Sequence, residues 1–253
     1  MMKTRFITFI TVAAAMLALS SCAEKSGPDY TLAYPNALVT AKTSADNVFF
    51  LQLDDKTTLF PVNVSKSPFG EKEVRALCHF DFVEGKSEHF DRNIRLNWID
   101  SVRTKSTVMS LGDEDADEEA YGEAPIGIYN NWITVLEDGY LTLSFCAYWG
   151  NPSIAHSIDL VAGVDPDDPY LLDLRHNDFN DNYYFDVVRA NGIIAFKLNH
   201  LPDTKGETVK LKIRFNSING GQRIIAFDYC TGKQASNGIA PSMDNLTRGL
   251  AID

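Results

Sequence analysis

From Val209 to Asn216 the chain alternates without a break: Val209, Leu211, Ile213 and Phe215 are apolar, while Lys210, Lys212, Arg214 and Asn216 between them are polar. A period of two puts the apolar set on one face of an extended strand and the polar set on the other, whereas a helix would scatter both around its circumference. Residues 73–82 repeat the pattern, with Val74, Ala76, Cys78, Phe80 and Phe82 set against Arg75, His79 and Asp81. Beyond residue 21, no stretch of ten or more residues sustains an apolar helical period, so the chain is read as all-β. Turn chemistry agrees. Asn219-Gly220-Gly221 supplies residues that tolerate positive φ between two strands, and Glu137-Asp138-Gly139 does the same ahead of YLTLSFCAYW. Asp165 to Pro169 and Asn191-Gly192 read as further turns.

Composition divides the strands into two groups. From Lys105 to Ala124 the chain is polar, with the acidic run GDEDADEEA at 112–120, and too few large apolar residues are present to build a core. Residues 104–124 are therefore expected to be an acidic linker, open to proteases. Before it lie five expected strands, at 37–43, 48–54, 57–62, 73–82 and 93–102, within a domain at 34–103. Five short strands suit a small closed barrel, because closure removes exposed edges. After it, seven or so strands over 125–230 suit a β-sandwich. The sequence thus predicts a small OB-like barrel followed by a β-sandwich, and then a polar, loosely held tail at 231–253.

The N-terminus predicts an address. Lys3 and Arg5 precede the apolar run FITFITVAAAMLAL, which is too short to cross a bilayer and reads as the core of a signal peptide at 1–21. It ends in Leu19-Ser20-Ser21-Cys22, which resembles a bacterial lipobox, so Cys22 is the expected lipidation site, followed by a flexible tether at 22–33. Several acyl chains, each contributing roughly 0.8 kcal/mol per buried methylene, make a durable anchor. The membrane is thus one expected partner, through the lipid on Cys22. The expected location is the cell envelope, at the outer membrane, on its surface or periplasmic face. Beyond the leader the chain holds 21 basic against 34 acidic residues and no basic patch, which speaks against nucleic acid as a partner.

Chemistry-bearing motifs are sparse. His79, His89, His156, His176 and His200 show no metal-ligand spacing, and no nucleophile motif occurs, so no catalytic residue, metal or cofactor is assigned. Asp178, Asn180 and Asn182 match the first positions of a calcium loop, but Tyr183 and Arg189 stand where glycine and glutamate are needed. Cys78, Cys146 and Cys230 read as buried thiols; a Cys146–Cys230 bridge is open. Trp98, Trp132, Trp149, Tyr140 and Tyr148 could form a sugar-stacking platform, though tryptophans of small β domains more often fill cores.

The stretch YPNALVTAKTSADNVFFLQLDDKTTLFPVN (34–63), followed by EVRALCHF and NWIDSV, resembles the N-terminal domain of NigD-like lipoproteins of Bacteroidetes. EDGYLTLSFCAYWG, AHSIDLVAG, DPYLLDLRHN and FKLNHLPDTKGETVKLKIRFNS resemble that family's C-terminal domain. The resemblance implies an OB-like barrel and a β-sandwich, and its family name implies bacteriocin immunity. The expected function is that of a membrane-anchored, non-enzymatic binding or immunity protein. The alternative is a glycan- or peptide-binding accessory of an outer-membrane uptake system, so a protein, peptide or glycan is the expected soluble partner. Asp100-Ser101-Val102 resembles the O-glycosylation sequon of Bacteroidetes, which marks Ser101 as a candidate modification site.

The anchor is directly testable. Wild type should incorporate a fatty-acid probe and partition with membranes, while Cys22→Ala should accumulate with its leader uncut. Normal cleavage and secretion of Cys22→Ala would refute the lipoprotein reading.

Overall fold

In the computed structural model, which describes residues 30–85, 87–181, 187–231 and 250–252, the first five strands close a barrel in the order β1-β2-β3-β5-β4. They are β1 (Ala37–Thr43), β2 (Phe49–Gln52), β3 (Thr58–Pro61), β4 (Val74–Val83) and β5 (Arg92–Ser101). The inward set of each alternation fills it: Val39, Ala41, Phe49, Leu51, Leu59, Ala76, Cys78, Phe80 and Ile94 are all buried. The expected barrel and its strands are present, each within a residue or two of its expected bounds.

The following strands form two stacked sheets. One runs β16-β8-β10-β13-β6, with β9 also on β10; the other runs β15-β14-β12-β11-β7. The elements are β6 (Arg103–Ser106), β7 (Val108–Met109), α1 (Glu114–Tyr121), β8 (Gly127–Asn130), β9 (Val135–Glu137), β10 (Tyr140–Trp149), β11 (Ser157–Ala162), β12 (Leu171–Asn177), β13 (Val188–Lys197), β14 (Val209–Asn216), β15 (Gln222–Tyr229) and β16 (Leu250–Ile252). Leu141, Leu143, Phe145, Leu172, Leu174, Phe196, Leu211, Ile213 and Phe215 meet between the sheets. The alternation at 209–216 therefore does what its period requires.

The expected linker at 104–124 is not a linker. Only Val102 separates β5 from β6, and its N–H donates to the Arg75 carbonyl at 2.7 Å, so one nearly continuous strand serves both domains. β6 lies parallel to β13, pairing Arg103 to Ser106 with Ile194 to Lys197. After Thr107 the chain crosses to the other sheet, where β7 pairs with β11. The segment thereby ties the two sheets together along one edge. The acidic run is α1, begun by Asp113, whose carboxylate accepts from Ala116 N–H at 2.9 Å. Glu114, Asp115 and Asp117 in the first turn suit the positive end of the helix dipole. Buried Asp117 accepts from the Ser110 hydroxyl at 2.6 Å and from Leu111 N–H at 2.8 Å. Helix and strands here are held by backbone pairing and polar contacts, so a search for apolar anchors overlooks them.

Two smaller expectations change as well. Asn191-Gly192 lies within β13 and makes no turn; a Cβ at Gly192 would stand 2.5 Å from the Phe145 ring, so the glycine answers a packing demand. The tail is not loosely held throughout, because Leu250 to Ile252 pair antiparallel with Ile128 to Asn130. By contrast, Asp138 and Gly139 take φ of 50° and 74° between β9 and β10, as a tight hairpin turn requires.

Limited proteolysis checks the corrected segment. The mature chain should not be nicked first between residues 103 and 121, and it should not divide there into two folded fragments. Early release of a folded barrel and a folded sandwich would contradict the shared strand.

Candidate functional site

A charged seam joins the domains. Arg75 of β4 sits on the face expected to meet solvent, yet it is fully buried beneath the sandwich. Its Nη2 donates to Glu137 Oε1 at 2.6 Å, its Nη1 donates to Thr40 Oγ1 at 3.0 Å, and its guanidinium lies 5.8 Å from the centre of the Tyr140 ring. The Tyr140 hydroxyl donates to Glu73, which together with burial raises the tyrosine's pKa. Lys42 donates to Asp138 Oδ1 at 2.8 Å, and Asp138 N–H donates to Asp55 Oδ1 at 2.6 Å. Burial pushes the Asp55 carboxyl up, partly offset by that N–H. Leu38, Val102 and Ala195 pack beside these charges.

At the other end of β10, two of the five histidines meet. His156 Nε2 lies 3.1 Å from Asp181 Oδ2, His156 Nδ1 lies 3.0 Å from His176 Nε2, and His176 Nδ1 lies 3.1 Å from the Pro125 carbonyl. The side chains of His156 and Asp181 are closed to solvent, and Trp149 stacks on His156 with centroids 4.1 Å apart. The N–H groups of Asn151 and Gly150 hold the Asp181 carboxyl below its ordinary range, and burial lowers the pKa of His176. A carbonyl and a carboxylate can only accept, so His176 Nδ1 donates to the Pro125 carbonyl and His156 Nε2 donates to Asp181. The relay fastens the loop at 178–181 to the end of β10. Each ring nitrogen of His156 and His176 has a partner within the protein.

Other marked residues are also accounted for. Asp178 Oδ1 accepts from Asn180 N–H at 3.0 Å within a turn where Phe179 and Asn180 take positive φ, and Asn182 lies outside the described residues. Among the described residues, no group of three or more His, Cys, Asp or Glu side chains is placed to hold a metal ion. Cys78, Cys146 and Cys230 are free and buried, which closes the question of a bridge. Trp98 donates to the Leu32 carbonyl, Trp132 packs into the seam, Trp149 covers His156, and Tyr140 is buried; Tyr148 alone of the five aromatic candidates is exposed. A small cleft of about 140 Å³ under α1 holds Asp173, Arg175 and Arg214. Asp173 takes a two-pronged bond from Arg214, at 2.6 and 2.9 Å, and one from Arg175 at 2.9 Å, so that layer closes on itself. Cys22 lies outside the described residues.

One open concavity lies beside the seam, where the chain leaves the barrel for the sandwich. It encloses about 380 Å³ and is lined by Leu77, Asp100, Ser101, Val102 and Arg103 on one wall and by Ser144, Asn191, Gly192 and Ile193 on the other. An apolar floor with a few convergent polar groups at a domain junction has the make-up of a binding site. Ser101, exposed at the end of β5, stands on its rim.

These features define a two-domain β protein whose barrel and sandwich are rigidly joined and flank an open groove. Comparison with known proteins gives that class its family: the profile of the NigD-like N-terminal OB domain matches residues 38–102, and that of the NigD-like C-terminal β-sandwich domain matches residues 107–229. The chain belongs to the NigD-like family. A crystal structure of a candidate toxin-related protein from Parabacteroides distasonis is 33% identical, with a TM-score of 0.61, covering 77% of this chain and 92% of that one. A NigD-like immunity protein from Bacteroides caccae shares the fold at 16% identity and a TM-score of 0.53, covering 78% and 99%. A candidate lipoprotein from Bacteroides fragilis does so at 11% and 0.50, covering 78% and 98%. The comparison with curated proteins gave no match.

The seam can be measured. Arg75→Ala removes the guanidinium that faces the buried Glu137 carboxylate and should cost about 3–5 kcal/mol in urea unfolding, whereas Arg75→Met with Glu137→Leu should recover most of that loss. A single-variant cost below about 1 kcal/mol would show that the pair is solvated, as surface pairs are.

Proposed function

We propose that this protein is a lipid-anchored, non-enzymatic binding protein of the cell envelope that uses the groove between its domains to hold a polypeptide, in the manner of an immunity protein. The observation that carries the reading is the contrast between sites. The charges of the histidine relay, the buried arginine seam and the Asp173 layer are each paired within the protein, while the groove is open and lacks a paired nucleophile and base. The lipobox at Cys22 supports the anchor, and the fold is shared with proteins described as an immunity protein and a candidate lipoprotein. The alternative of an uptake accessory remains a second reading, in its peptide-binding form. Its glycan-binding form loses support, because Trp98, Trp132 and Trp149 are all engaged within the protein. O-glycosylation of Ser101 is proposed on its sequon and exposure; a sugar there would stand at the groove's rim.

The test is survival. A deletion strain of the native host, exposed to bacteriocin-containing supernatants of related strains, should be killed where the complemented strain survives. Complementation by Arg103→Glu, an exposed groove residue, should fail while the protein still reaches the membrane. Equal survival of the deletion and complemented strains would refute immunity.

A further inference from the structure

β13 is ten residues long and pairs with β10 along its whole length, from Val188 opposite Trp149 to Lys197 opposite Tyr140. On its other side, β6 covers only its last four residues, Ile194 to Lys197. Among the described residues, no backbone hydrogen bond is made to that side of Val188 to Ile193. The cause is the shared strand: going backwards from Arg103, the chain turns off the edge of this sheet to become β5 of the barrel, so no described strand takes the place beside Val188–Ile193 that β6 would have continued into. Such an edge is a template for another strand, and natural sheets usually blunt it with proline, inward charge or a bulge. Here proline and bulge are lacking, and the one charge, Arg189, is drawn across the face of the sheet to Cys146 Sγ at 3.0 Å and to the Tyr129 ring, away from the open edge. The register with β10 runs without a shift, and Val188 is 62% exposed.

The groove begins where this edge becomes free. Asn191, Gly192 and Ile193 belong to both, and Leu77 and Val102 of the opposite wall face the same corner. We infer that the groove binds an extended peptide of a partner protein, which adds to β13 as the missing continuation of β6. The inference rests on the binding role proposed above and specifies its mode. Backbone pairing would supply general affinity, and side chains alternate across a strand, so every second residue of the peptide would enter the apolar corner of Leu77, Val102 and Ile193. The partner segment is therefore extended, free of proline over the paired residues, and apolar at alternate positions. Continuity with the existing β6–β13 ladder and the volume of the groove fix this occupant over a globular surface or a sugar.

The test pans a random heptapeptide phage library on the lipid-free mature chain, synthesises the selected peptides, and measures affinity by fluorescence anisotropy and protection by hydrogen exchange. In the free protein, the amides of 188–193 that point away from β10 should exchange faster than those of 194–197 that point to β6, and bound peptide should slow the former by about tenfold or more. Successive N–H groups of a strand point to opposite sides, so of Ala190→Pro and Asn191→Pro one spares the β10 ladder. The variant that keeps the wild-type circular dichroism should lose about tenfold or more in affinity. Peptides that bind without protecting 188–193 but lose affinity with Arg103→Glu would overturn strand addition and leave the groove as the binding site. Binding indifferent to both Arg103→Glu and the proline variants would overturn both readings. Failure to recover alternating peptides, or slow exchange in the free protein of the amides of 188–193 that point away from β10, whether from the chain's own tail or from a second copy at higher concentration, would overturn strand addition.

Discussion

Arg75 carries a permanent charge into a place that water does not reach, and the relation of the two domains depends on how that charge is met. Glu137 meets it from the β9–β10 hairpin, and Thr40 and the Tyr140 ring supply the remaining contacts. Desolvating two ions costs several kcal/mol each, which good geometry only roughly offsets, so the pair adds little net stability. It does discriminate. Any docking of barrel on sandwich that misplaced Glu137 would leave one buried charge unmatched. The apolar contacts of Leu38, Val102 and Ala195 could tolerate small slides, and the ion pair does not. The seam thus fixes one orientation, and with it the width of the groove alongside.

A second constraint acts at the opposite end of β10. The Asp181–His156–His176 relay and the Trp149 ring fasten a loop that has little apolar content of its own. Both ends of this long central strand are therefore secured by polar groups removed from water. The groove lies between them, on the outer face of the same sheet, where Ser144 of β10 stands opposite Ile193 of β13. A site flanked by rigid clusters loses little entropy on binding, which suits a protein whose role is to hold.

Much of the architecture was legible because strand periodicity is a local signal. The bounds of β1 agree with those expected, and β14 follows from the alternation of Val209 to Phe215 alone. What stayed hidden depends on distant partners. Arg75 reads as a solvent-facing residue, because alternation assigns a face and says nothing about a second domain covering that face. His156 and His176 are twenty residues apart in the chain, and only the antiparallel β11–β12 pairing, which sets Ile158 beside His176, brings them together. Asn191-Gly192 carries the composition of a turn, yet Gly192 is demanded by the Phe145 ring on the neighbouring strand. The acidic run at 112–120 did hold a readable sign: Asp113 is a good N-cap, followed by acids in the first turn. Its lack of large apolar residues concealed the helix.

The strand shared by the two domains also sets an order of folding. All five barrel strands are complete once Ser101 has emerged, so the barrel can close on local instructions while the rest of the chain is still being delivered. β6 follows immediately, but its partner β13 begins at Val188, far along the chain, and a parallel pairing of such separation is slow to form. In the interval Arg103 to Ser106 would extend from a finished barrel as an unpaired strand, offering its edge to whatever lies near. Its composition fits that exposure: Arg-Thr-Lys-Ser is charged and hydrophilic, a poor aggregation seed, and it can wait in water until the sandwich arrives to claim it.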